Sequence, residues 1–144
     1  MKSGGSAGTR SRARELAVQA LYQQQIAGHD TDELIAQFKE RPDYQQVDQQ
    51  YFQETLRGIS RDMDAIGRRI AEFADRPEAQ LDPVERAILL QGIHELEARR
   101  DVPFKVIINE AVNLAKMFGA VDGHKYINAV LDRAAAQMRA DDSS

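Results

Sequence analysis

The chain contains no cysteine. That excludes disulfides, thiolate metal ligands and a cysteine nucleophile, and it fits a reducing compartment, so the cytoplasm is the expected location. No apolar run approaches the roughly 20 residues needed to cross a bilayer, and the first residues lack the hydrophobic region of a secretory signal. Neither a membrane anchor nor export by that route is expected. The familiar enzyme signatures are missing as well. There is no glycine-rich phosphate loop, no His-Glu-x-x-His and no Gly-x-Ser-x-Gly, and His29, His94 and His124 are far apart in the chain. Catalysis is not expected, and the sequence calls for no cofactor. Asp122 with His124 could be read as a metal pair, but helix capping accounts for the aspartate, so no metal is assigned. Nothing reads as a strand, and no repeat of roughly 20 to 50 residues is present.

What is present is enough apolar material for a core: 42% of the 144 residues are hydrophobic, which suits one domain without staples. Charge is segregated. The chain carries −4 overall, yet the stretch from Met1 to Arg14 holds Lys2, Arg10, Arg12 and Arg14 and no acid, leaving −8 for the rest. A basic arm on an acidic body can meet phosphates at one place while repelling nucleic acid elsewhere.

Helical spacing runs through the chain. Residues 1–9, rich in serine and glycine, have nothing to bury and read as a disordered leader. From Ser11 to about Ala27, Ala13, Ala17, Ala20 and Leu21 make a small-residue stripe suited to close helix packing. Asp30 and Glu33 have capping-box spacing before a short helix that Pro42 closes. Between about Val47 and Phe73 apolar positions recur at helical spacing, with a break somewhere in Gly58 to Asp62. Asp82, Pro83 and Glu85 read as N-cap, first and third positions of another helix. Two amphipathic helices then run from Phe104 to Phe118 and from Ile127 to Met138. Between them Gly119 occupies a place for positive φ, and Asp122 a place for an N-cap oxygen. Residues 140–144 read as a frayed tail. The fold class is all-α, a compact bundle of six to seven helices forming a single domain over residues 10–139.

One group of residues carries binding chemistry. Arg10 and Arg14 are four apart and share a helix face, with Tyr22 less than a quarter turn away. Arginine forks onto phosphate and stacks on bases, and tyrosine stacks too, which is how single-stranded RNA is held. Cations at a helix N-terminus oppose the helix dipole, which points to a purpose other than stability. Asn109, Glu110, Asn113, Lys116 and Asn128 read as a solvated helix face.

The segments Arg12-Ala-Arg-Glu-Leu-Ala-Val-Gln-Ala-Leu-Tyr22, Asp82-Pro-Val-Glu-Arg-Ala-Ile-Leu89, Val102-Pro-Phe-Lys-Val-Ile-Ile-Asn-Glu-Ala-Val112, Leu114-Ala-Lys-Met-Phe-Gly119 and His124-Lys-Tyr-Ile-Asn128 closely resemble the NusB family of transcription antitermination factors, in order, from Arg10 to about Met138. The resemblance implies two packed helical lobes that bind boxA RNA with the ribosomal protein NusE. It also implies a larger complex with other Nus factors on RNA polymerase that suppresses termination, notably on ribosomal RNA operons. Carried onto this chain, the family's RNA contacts fall on Arg10, Arg12 and Arg14 and on Asp122, Lys125 and Tyr126, with Lys125 on phosphate and Tyr126 stacking. Tyr22 and Glu85 match positions facing NusE. Some members self-associate through the RNA surface, so monomer and homodimer both stay open. Leu90 replaces a common arginine, Ala129 a usual glycine, and Ser11 interrupts a denser arginine cluster. Two other readings are a protein scaffold whose acidic surface recruits basic ribosomal proteins, and the NusB-like accessory domain of RNA methyltransferases. The second lacks here any glycine-rich cofactor-binding domain.

Overall fold

The computed structural model describes residues 5–77 and 80–142, with side chains from residue 8 onward. Among the described residues there are seven α-helices, one short 3-10 helix at Pro42–Gln46 and no strand: α1 (Gly5–Ala27), α2 (Thr31–Lys39), α3 (Gln49–Arg61), α4 (Met63–Ala74), α5 (Pro83–Ala98), α6 (Phe104–Phe118) and α7 (Gly123–Met138). The chain divides into two compact units, Met1–Arg61 and Asp62–Ser144.

In the first unit α1 packs against α2 and α3. Its small-residue stripe is buried throughout, at Ala13, Ala17, Ala20 and Leu21. The helix starts at Gly5, inside the stretch expected to be a leader, while residues 1–4 of that leader lie outside the described residues. Thr9 explains part of the extension: its carbonyl accepts the Asp48 N–H at 3.1 Å, and adding turns to an existing helix costs little. Asp30 and Glu33 form the expected capping box, with bonds of 2.9 and 3.2 Å. Phe52 anchors the core between Phe38, with ring centroids 5.7 Å apart, and Tyr44, edge-on at 5.6 Å. The break between α3 and α4 falls at Asp62.

In the second unit α5 packs against α4, α6 and α7, and its residues from Ala87 to Leu96 are all buried. Asp82 caps it as its spacing predicts, accepting Val84 and Glu85 N–H groups at 2.8 and 2.9 Å, with Pro83 in the first turn. A Cβ at Gly92 would lie 2.9 Å from Leu131, so glycine is what lets α7 approach this closely. At the other end of α5, the buried Arg139 donates to the carbonyls of Glu95, Leu96, Arg99 and Val102 at 2.7–3.3 Å, and to Asp142 at 2.9 Å. That arrangement revises the frayed tail. Asp142 is tied both through its carboxylate and through its N–H to the Arg139 carbonyl at 3.0 Å, while Ser143 and Ser144 lie outside the described residues.

The α6–α7 turn differs from its expected chemistry at both marked positions. Gly119 is extended, with φ −96° and ψ −178°, and not left-handed. It is needed for room, because a Cβ there would sit 2.8 Å from the Ala115 carbonyl oxygen. Asp122 precedes α7 but makes no side-chain cap; its carboxylate lies 3.5 Å from Lys125 Nζ instead.

Candidate nucleic-acid interface

The three arginines of α1 have three different environments. Arg12 is exposed. Arg10 is half-buried: its guanidinium carbon lies 4.6 Å from the Tyr51 ring centroid, and its Nε is 3.7 Å from Asp48 Oδ2. Arg14 is only 4% exposed, donates to the Tyr51 hydroxyl at 3.1 Å and lies 5.2 Å from the same ring centroid. Expected as a direct RNA contact, Arg14 is enclosed in the first unit, where it fixes Tyr51 and, through that ring, the seat of Arg10. Because α1 begins at Gly5, these cations also lie beyond its first turn, and the dipole penalty largely disappears. The sequence reading missed Tyr51 and Asp48. The spacing did hold a signal: Asp48 Oδ1 accepts the Tyr51 N–H at 3.0 Å, an ordinary start for α3, which leaves Oδ2 facing Arg10. Tyr22 is 41% exposed, and Ile26, one turn on, is 62% exposed, so α1 also carries an apolar patch.

At the start of α7, Asp122 and Lys125 form an exposed pair that contributes little to stability. Tyr126 is far more engaged than a free stacking platform. Its hydroxyl donates to the Ala74 carbonyl at 2.9 Å, and the Arg76 guanidinium carbon lies 4.2 Å from its ring centroid. Arg133, further along α7, donates twice to the Phe73 carbonyl, at 2.7 and 3.0 Å. Together these side chains satisfy carbonyls at the C-terminus of α4, where Asp75 turns left-handed at φ 60°. Burial pushes the Tyr126 hydroxyl above its ordinary range, with Arg76 pulling it back and Glu85 adding to the rise. The Glu85 carboxyl is itself held above the usual carboxylate range, first by burial and then by Asp82. A Cβ at Gly123 would lie 3.3 Å from Glu85 Oε2, so a small residue opening α7 leaves space for this carboxylate.

The second unit also has an open groove of about 520 Å³ between α6 and α7. Phe104, Ile108 and Val112 give it an apolar wall, and Lys105, Asn109, His124, Lys125, Asn128 and Asp132 complete it. The Asn109 and Asn128 amides, taken from sequence as part of a solvated face, therefore line a concavity. Periodicity on one helix could not reveal this, because the neighbouring helix supplies the other wall. Among the described residues, no group of three or more His, Asp or Glu could hold a metal ion, and no helix is long and apolar enough to cross a membrane.

A model of the NusB family matches residues 11–136. The transcription antitermination protein NusB of Paraburkholderia xenovorans is 46% identical over 134 residues, covering 93% of each chain. That of Teredinibacter turnerae is 47% identical over 136 residues, covering 94% of this chain and 92% of its own. The solved structure of T. maritima NusB superposes with a TM-score of 0.82 at 25% identity, covering 95% of this chain and 94% of that one.

Proposed function

The chain belongs to the NusB family, and on that premise we propose that it is a transcription antitermination factor that binds boxA-type single-stranded RNA together with the ribosomal protein NusE. Joined with other Nus factors on RNA polymerase, it helps the enzyme read through terminators, notably in ribosomal RNA operons. It works in the cytoplasm as an adaptor without catalysis or cofactor. The observation that carries this reading is likeness at about half identity along nearly the whole length of relatives that bear the antitermination name.

The geometry supports two sets of RNA contacts, one on each unit. Arg12 is open to a phosphate, and Arg10 combines partial exposure with a fixed seat on Tyr51. Lys125 is exposed with only a weak ion pair to Asp122, which an incoming phosphate can replace. Tyr126 contributes mainly by holding the α4 terminus beside that lysine, and Arg14 acts through Tyr51. Tyr22 and Glu85 are assigned to the NusE surface; Tyr22 offers an exposed ring, and Glu85 a carboxylate for a basic ribosomal protein.

The test is binding of a boxA-containing RNA and a scrambled control, at fixed salt, by the protein alone and premixed with NusE. Sequence-dependent binding that tightens with NusE is expected. Equal binding of both RNAs in every condition would reduce the protein to an electrostatic arm. Arg12→Ala should lower the slope of log affinity against log salt by about one contact's worth, with sequence preference unchanged.

A further inference from the structure

We propose that the groove between α6 and α7 is a nucleotide subsite, in which one base of the bound RNA is read at its edge. The proposal rests on the RNA-binding reading above and adds a contact outside the two sets named there, sharing only Lys125 with them. Three properties of the groove support it. The first is donor and acceptor chemistry: Asn109 and Asn128 each present an amide with both a donor and an acceptor, and Asp132 adds a carboxylate. Amides pair with base edges, and a carboxylate accepts from an exocyclic amine, so the set favours a base carrying an amino group over uracil. The second is charge. Lys105 and Lys125 line the groove on a chain that is acidic outside its first residues, and Lys105 is in no ion pair among the described residues. A phosphate is the complement of that pair. The third is an orphan: His124 Nδ1, in the groove's wall, is enclosed with no hydrogen-bond partner among the described residues. Turning that ring toward an occupant would relieve the cost of the unpaired nitrogen.

The same lining argues against a peptide. Two helices offer no open strand edge for an extended chain, and six of the nine lining residues are polar, a poor floor for an apolar helix face. The volume lies within the usual range for small-ligand sites, and Phe104 and Ile108 give a base face something apolar to lie on.

The experiment uses the full chain premixed with NusE and a boxA-containing RNA. Affinity is measured across a salt series for the native protein, Asn109→Ala, Asn128→Ala and Lys105→Ala, and the side-chain amide NMR signals of Asn109 and Asn128 are followed on RNA addition. All three substitutions fall on exposed residues and should leave folding intact. The expected result is about a tenfold or greater loss of affinity for each asparagine variant with the salt slope unchanged, a slope reduced by about one for Lys105→Ala, and shifted amide signals in the native complex. Native affinity in every variant with unmoved amide signals overturns the subsite and leaves the RNA reading standing. Failure of the native complex to bind the RNA overturns both. Loss of NusE binding in the groove variants, with RNA affinity kept, assigns the groove to a protein partner and overturns the subsite as well.

Discussion

Arginine is held differently in the two units, over ring faces in the first and against helix-end carbonyls in the second, and neither mode alone decides exposure: stacked Arg14 is enclosed and capping Arg133 is exposed. In the first unit guanidinium groups lie over rings: Arg10 and Arg14 over Tyr51, and Arg41 over Phe38 at 5.2 Å. In the second unit Arg133 and Arg139 point their N–H edges at carbonyls where α4 and α5 end, with Arg76 over Tyr126 as the exception. Stacking uses the face of the group, and Arg10 keeps part of its side chain in solvent. Capping uses the edge, and the Arg139 side chain is 1% exposed. The second arrangement is also favoured electrostatically, because a cation at a helix C-terminus meets the negative end of the dipole. A positive residue thus becomes a candidate for phosphate only after its fold partners are counted.

The sharpest way to break this contrast is Arg139→Ala. The change strips donors from four buried or partly buried carbonyls at once and frees Asp142, so unfolding free energy should fall by about 3–5 kcal/mol in a urea titration. Arg139→Lys should recover little, because an ammonium cannot span the same fork of acceptors. A loss below about 1 kcal/mol would mean that water replaces the arginine easily and that capping is not its role. Next in size is Arg14→Ala, expected to cost about 2–3 kcal/mol through the buried Tyr51 contact, against less than about 0.5 kcal/mol for Arg12→Ala. Equal destabilisation by the two, measured by thermal unfolding, would dissolve the distinction between buried and exposed arginines on α1.

Signals that need only a few residues were legible in the sequence. The Asp30 and Glu33 box, the Asp82 cap and the apolar periodicity of α6 and α7 all involve partners within one or two turns, and the structure contains them. Contacts that cross between helices were not legible. Arg14 finds Tyr51 at a separation of 37 residues, and Arg139 finds Leu96 at 43, so nothing local marks either arginine as structural. The turn at Gly119 and Asp122 shows a subtler failure. Both residue types were right for helix ends, yet the glycine serves clearance from Ala115 and the aspartate meets Lys125, because several chemistries share one composition. At the candidate site the exposed Arg12 and Lys125 follow from polarity alone. The groove that Asn109 and Asn128 line depends on how two helices meet, which no single periodic segment records.

Tyr126→Phe sharpens the comparison at its exception. The ring and the Arg76 stack remain while the donor to the Ala74 carbonyl is lost, so a cost of about 1 kcal/mol in chemical unfolding is expected, with RNA affinity unchanged. A large fall in RNA affinity with normal stability would instead move the hydroxyl from the α4 terminus to the RNA.

The smallest effect concerns a cation that the second unit does not keep. His94, buried on α5, has its pKa lowered below 6.5 chiefly by burial, with Arg99 in the same direction and Glu95, Asp62 and Glu97 opposing. The folded protein therefore binds fewer protons here than the unfolded chain once pH drops below 6.5. Stability that is present above that pH should decline through the window between 6.5 and the lowered value, and then level off. Glu85 acts with the opposite sign. Its raised pKa means that the folded state holds the extra proton, so its contribution is present below 4.5 and is lost as pH rises through the raised value. Unfolding free energies measured from pH 7.5 down to about 4 separate the two: His94→Gln should flatten the upper part of the curve and Glu85→Gln the part nearest 4.5. An unchanged slope below pH 6.5 in His94→Gln would show that this histidine charges as readily folded as unfolded. The interior beside α5 would then accept a cation without the carbonyl cradle that Arg139 has, and that cradle would not be what makes a buried cation tolerable there.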